Sequence, residues 1–143
     1  MALSRTFFGL TLLVNAGLLG CGAGDDPNFS DTGFYVGEVV PADGDSDVLV
    51  SASPNLLLSV PASAESCTTS TVQLVAVAGS NAVAEHIETS LEFDGDEKIV
   101  INPANELVPG FTYMVTVRSG SEGCTSEDGW MIRPFASRFS VAE

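Results

Sequence analysis

From residue 34 onward, short apolar runs alternate with turn residues along the chain. Phe34 to Val40 (FYVGEVV) is the first run. It is broken by Pro41, which has no N–H to give to a ladder, and by Asp43-Gly44, which suits a tight turn. Val48 to Val50 and Asn55 to Val60, on either side of Pro54, read as the next strand region. Val72 to Ala78 alternates, with Val72, Leu74 and Ala76 on one face, whereas Ala82 to Ile87 is short and fits no single period. Leu91 to Phe93 and Lys98 to Asn102 flank DGDE, an Asp-Gly hairpin signal. Phe111 to Val117 puts Phe111, Tyr113, Val115 and Val117 on one face. Arg138 to Val141 closes the pattern with Phe139 and Val141 inward. No helical period holds over a full window in this region. Seven or eight short strands at this spacing predict an all-β domain, an antiparallel sandwich over residues 34–143.

Composition supports a packed domain and narrows its partners. Of 143 residues 45% are apolar and only 17% charged, enough apolar content for one core and against general disorder. Five Lys and Arg stand against 19 Asp and Glu, a formal net charge of −14. Nucleic acid is excluded as a partner, because phosphate binding needs clustered cations. Anionic headgroups would repel the same surface, so attachment to a membrane must come from something other than basic residues.

The first thirty residues follow another pattern. Arg5 precedes a mostly apolar run from Thr6 to Leu19, 14 residues long and interrupted by Asn15. A permanent membrane span needs about 20, so this is the apolar segment of a secretory signal. Leu18-Leu19-Gly20-Cys21 then resembles the lipobox of bacterial lipoproteins. The resemblance implies cleavage after Gly20 and acylation of Cys21, with palmitate-type chains as the membrane anchor. At ~0.8 kcal/mol per buried CH₂, two or three chains hold stably without a basic patch. The alternative is an ordinary signal peptide that Cys21 happens to follow. Residues 1–20 are thus read as a signal peptide. Residues 21–33, the acylated cysteine and GAGDDPNFSDTG, are read as a flexible tether. Gly22 rather than Asp after Cys21 implies, by resemblance to the enteric sorting rule, retention at the outer membrane.

Acylation of Cys21 leaves two cysteines, Cys67 and Cys124. Outside the cytosol a pair of thiols tends to oxidise, so a Cys67–Cys124 disulfide is expected, worth about 3–4 kcal/mol by chain entropy. The alternative is two unpaired core cysteines too far apart to join.

The motif LVPGFTYMVTV, Leu107 to Val117, resembles the corner of Ig-like and fibronectin-like sandwiches. The resemblance gives Leu107 the role of buried plug and Pro109-Gly110 that of the turn. Tyr113 becomes the tyrosine whose hydroxyl bonds back across the corner. Upstream, VVPADGDSDVLVSASPNLLLSVPAS resembles the opening of bacterial Ig-like domains of the SbsA surface-layer type, and RFSVAE resembles their closing strand. The sequence departs from that family at Val60-Pro61, where Phe followed by Ser-Glu-Pro is common. The Pro-x-Asp-Gly opening and Ser126-Glu127-Asp128-Gly129-Trp130 also look like the periplasmic copper carriers, an Ig-like family. Those bind copper through an N-terminal histidine and a histidine after Asp-Gly. Trp130 stands in the second place here, and an acylated cysteine in the first.

Catalytic parts are missing from the sequence. His86 is the single histidine, no serine sits in a nucleophile-elbow glycine pattern, and no glycine-rich phosphate loop is present. A zinc site lacks ligands. Asp43, Asp45 and Asp47 in DGDSD match the first three positions of a calcium loop. However, Val48 occupies the sixth place and Pro54 the twelfth, which excludes an EF-hand. A looser calcium site on these aspartates, or on Asp94 and Asp96, is the one cofactor candidate; the alternative is solvated turn carboxylates. Trp130 reads as a core plug or end cover, with a sugar-stacking platform as the alternative.

Three classes of function remain. The first is a lipid-anchored, non-catalytic Ig-like module of the bacterial envelope, serving adhesion, spacing or assembly with a protein or glycan partner. The second is a carbohydrate-binding module, which needs an exposed aromatic row. The third is a metal-binding envelope protein taking calcium or copper.

Overall fold

The computed structural model describes residues 33–77 and 85–143. The signal segment, Cys21, the tether up to residue 32 and the stretch 78–84 lie outside the described residues. Among those described there is no helix, and eight strands form: β1 (Val36–Val40), β2 (Asn55–Leu58), β3 (Val72–Val77), β4 (Glu85–His86), β5 (Thr89–Phe93), β6 (Lys98–Pro103), β7 (Thr112–Val117) and β8 (Phe135–Ser140). They make two antiparallel four-stranded sheets, ordered β1-β2-β6-β5 and β4-β3-β7-β8, the layout of an Ig-like β-sandwich.

Alternation along the strands builds the core. Leu56, Ile99 and Ile101 from the first sheet meet Val72, Leu74, Tyr113, Val115 and Phe139 from the second, all almost wholly buried. Each such side chain contributes about 1.5–3 kcal/mol on leaving water. The Tyr113 and Phe139 rings stack with centroids 5.8 Å apart. Opposite this face, β3, β7 and β8 turn mostly neutral side chains outward. The Asp94-Gly95 hairpin joins β5 to β6, with Gly95 at φ 72°, where a side chain would be strained.

Register gives the sandwich two distinct ends. Val36 pairs with Leu58, and Val72 and Phe135 both pair with Val117, so residues 33–36, 58–72, 93–98 and 117–135 gather at one end. Gly33 is fixed there: the Ser59 hydroxyl donates to its carbonyl at 2.8 Å and accepts from the Tyr35 N–H at 3.0 Å. Pairing of Val40 with Asn55, Thr89 with Pro103 and Thr112 with Ser140 sets the other end, which holds residues 41–54, 86–89, 103–112 and 140–143. The first is the near end, where the chain from residue 21 arrives, and the second is the far end.

The strand boundaries differ from expectation in several places. β8 begins at Phe135 rather than Arg138, and β5 at Thr89 rather than Leu91. Val48 makes only a single parallel bridge to Val141, not a strand. Phe111 precedes β7 at the corner and is 38% exposed instead of joining the inward face of Tyr113, Val115 and Val117. The short run near Ile87 resolves as the two-residue β4 on the edge of the second sheet.

Candidate functional site

Cys67 and Cys124 form a disulfide at the near end. It ties the segment before β3 to the connection between β7 and β8, two neighbours within one sheet, so it is not the inter-sheet bridge of antibody domains. Beside it the Ser66 hydroxyl accepts the Thr125 N–H at 2.9 Å and lies 2.8 Å from the Thr125 hydroxyl, so hydrogen bonds hold the same two segments together.

The acidic loop 43–47 is built as an edge cover. Strand β8 is the outer strand of its sheet, and the loop lies along its open side. Arg138 N–H donates to the Asp43 carboxylate at 2.9 Å, and Gly44 N–H donates to the Arg138 carbonyl at 2.7 Å. Ser140 N–H donates to the Asp45 carbonyl at 2.8 Å. The Asp45 carboxylate accepts the Ala42 N–H at 2.9 Å, and Asp47 adopts φ 61°, a left-handed turn that Asp tolerates. Two of the three aspartates therefore terminate backbone donors, which blunts an edge that would otherwise offer free ladder groups. Among the described residues no three His, Cys, Asp or Glu side chains converge to hold a metal ion, so the geometry does not gather Asp43, Asp45 and Asp47 into a ligand set. Asp94 forms a 3.2 Å exposed ion pair with Lys98 at the near end, on the far side of the domain from that loop.

Trp130 is 40% exposed on the near-end turn 126–130 and fills no part of the core, against the plug reading. The Ser126 hydroxyl accepts its N–H at 3.0 Å. Tyr35, also exposed, sits under the Arg133 guanidinium, 5.3 Å from the ring centroid.

The far end carries the corner. Leu107 is buried and the Tyr113 hydroxyl accepts the Val108 N–H at 2.8 Å. Gly110 turns the chain at φ 75°. Around this corner the sheet ends leave two hollows that share Asn105 and Glu106 as a wall. One, of about 290 Å³, lies between residues 50–53 and 103–106. The other, of about 380 Å³, runs from Glu85–Glu88 across Leu107 and Val108 to Phe111 and Tyr113. Leu49, Val108 and Phe111 are large apolar side chains left exposed at this end, Leu49 at 70%. The lining of this second hollow comes from three separate stretches, of which only the one holding the corner motif is marked in the sequence, and that motif specifies a corner rather than a pocket. His86, the single histidine, lines it from edge strand β4.

Similar solved structures reproduce this sandwich. The S-layer protein rSbsC(31-844) matches with a TM-score of 0.55 and 15% identity, over 77% of this chain and 14% of that one. CopC from Methylosinus trichosporium OB3b matches with a TM-score of 0.55 and 14% identity, over 76% of this chain and 93% of that one. PcoC, a methionine-rich copper resistance protein from Escherichia coli, gives a TM-score of 0.60 and 15% identity over 76% and 98%. At these identities the likeness is one of fold, and the chain spans only about one seventh of the S-layer protein. No curated protein matches the sequence. The family described as bacterial Ig-like domain matches residues 30–141, from the end of the tether to the last core residue of the sandwich. With sandwich, tyrosine corner and family match in agreement, this chain belongs to the bacterial Ig-like domain family.

Proposed function

We propose that this chain is a lipid-anchored, non-catalytic Ig-like module of the bacterial cell envelope that holds its far end out to a protein partner, for adhesion, spacing or assembly. The observation that carries the reading is the separation of the two ends. Gly33, to which the stretch from Cys21 connects, is fixed at the near end, whereas exposed Leu49, Val108 and Phe111 and the two hollows around the corner stand at the far end. A tether of 12 residues, 22–33, would reach at most about 40 Å and on average ~19 Å, enough to clear headgroups. The Cys67–Cys124 disulfide fits an oxidising compartment outside the cytosol. Outer-membrane retention follows from Gly22 under the same reading.

Intact mass of the protein extracted from membranes tests the anchor. Loss of residues 1–20 plus added acyl mass is expected, and Cys21→Ser should leave the chain unacylated and off the membrane fraction. An unmodified cysteine at the N-terminus of membrane-extracted protein would overturn the reading. The fold likeness to CopC and PcoC favours metal binding as the second reading. A copper-specific rise in melting temperature would support it, because a ligand that binds only the folded state stabilises it by mass action.

A further inference from the structure

We infer that the 380 Å³ far-end pocket is a docking site for a lysine- or arginine-bearing segment of a partner protein, which deepens the interaction-module reading and rests on it. The pocket combines two chemistries. Its inner wall is apolar, formed by Ala76, Leu107 and Tyr113, all buried, with half-buried Ile87 beside them. Its rim carries the exposed carboxylates Glu85, Glu88 and Glu106, and the exposed ring of Phe111. Among the described residues no Lys or Arg lines it.

A basic side chain has the complementary build. Its methylene stem covers apolar surface while its cationic head stays at the wet rim, and an aromatic face adds a cation–π contact. An acidic or wholly apolar segment would leave three carboxylates facing a like charge or stripped of water. Long-range charge acts in the same direction. The net charge of −14 raises the local concentration of cationic partners and speeds their encounter. Location agrees as well, because the pocket opens at the end opposite Gly33, where a partner is not obstructed by the anchor.

The test uses the mature chain purified in detergent, titrated with tetra-lysine, tetra-arginine and tetra-serine peptides. Backbone amide NMR shifts locate the contacts, and binding is measured at two salt concentrations. The basic peptides should shift residues 85–88 and 105–111, and tetra-serine should not. Replacing Glu85→Gln and Glu106→Gln together should weaken binding on the order of tenfold at low salt, each exposed ion pair giving up to ~1 kcal/mol. Phe111→Ala should weaken it by a factor that survives high salt. The control is Asp94→Asn with Asp96→Asn, which removes the same charge at the near end. If that control weakens binding as much as the pocket variant, the peptides sense only the overall field and the docking site is refuted. Absence of shifts at residues 85–88 and 105–111 refutes it equally. Neither result bears on the anchor, which the mass measurement decides separately.

Discussion

Removing the disulfide gives the sharpest test of how the near end is held. In the double variant Cys67→Ala, Cys124→Ala the unfolded chain regains the freedom of a loop spanning 57 residues. The chain-entropy relation gives about 14 cal/mol/K for that loop, or ~4 kcal/mol at 25 °C. A domain of this size loses about 4 °C of melting temperature per kcal/mol, so a fall of roughly 15 °C is expected. The native state should change little. Ser66 and Thr125 join the same two segments by hydrogen bonds, and both cysteines are buried, so alanine leaves only small voids. Urea unfolding of both proteins, followed by fluorescence, measures the difference. The slope of stability against urea should rise in the variant, since an uncrosslinked unfolded chain exposes more surface. A loss below about 1 kcal/mol would refute the argument. So would an unchanged slope accompanied by a rearranged amide spectrum, because the bridge would then act by shaping the folded state.

Two further substitutions probe opposite ends of the sandwich. Tyr113→Phe keeps the ring stacked on Phe139 but orphans the Val108 N–H; a loss of about 1–2 kcal/mol is expected as a lower urea midpoint with unchanged slope. Gly123→Ala should be far more damaging, because its new methyl would sit 2.3 Å from the Arg118 carbonyl oxygen and 2.6 Å from the Ser119 carbonyl carbon, both backbone. At ~3 kcal/mol or more, it should be visible as a low melting temperature and poor soluble yield; a near-wild-type melt would show that the 118–124 turn can open without cost.

The fold was legible wherever inward positions are large and apolar. Val72, Leu74 and Ala76, and likewise Tyr113, Val115 and Val117, alternate in the sequence and are buried in the structure. The apolar pattern marks only the end of β8, because the strand's middle inward position is Ser137. That buried serine, whose hydroxyl lies 3.5 Å from the Asp43 carboxylate, interrupts the apolar alternation between Phe135 and Phe139. The aspartates illustrate the converse: Asp43 and Asp45 carry the spacing of a cation loop, yet their carboxylates cap N–H groups, Asp43 that of Arg138 on a strand nearly one hundred residues away and Asp45 that of Ala42 within its own loop. Alternation alone puts Phe111 inward with Tyr113, but it precedes β7 at the corner and is partly exposed; Trp130, on the 126–130 turn, is no core plug for the same reason of exposure. The far-end pocket was not legible, because it exists only after β4, the 105–108 segment and the start of β7 are brought together.

The placement of Gly33 and Val141 at opposite ends has a mechanical consequence. Tension between a membrane anchor and a partner held at the far end would run along the strand axes. The ladder bonds of β1 with β2, and the six residue pairs of β7 with β8, would then be strained in shear and have to fail together. Peeling from one end would instead break them one at a time. Resistance to forced unfolding is set by the unfolding barrier rather than by equilibrium stability. A domain loaded this way can act as a stiff link in a chain of attachments even when its thermodynamic stability is ordinary.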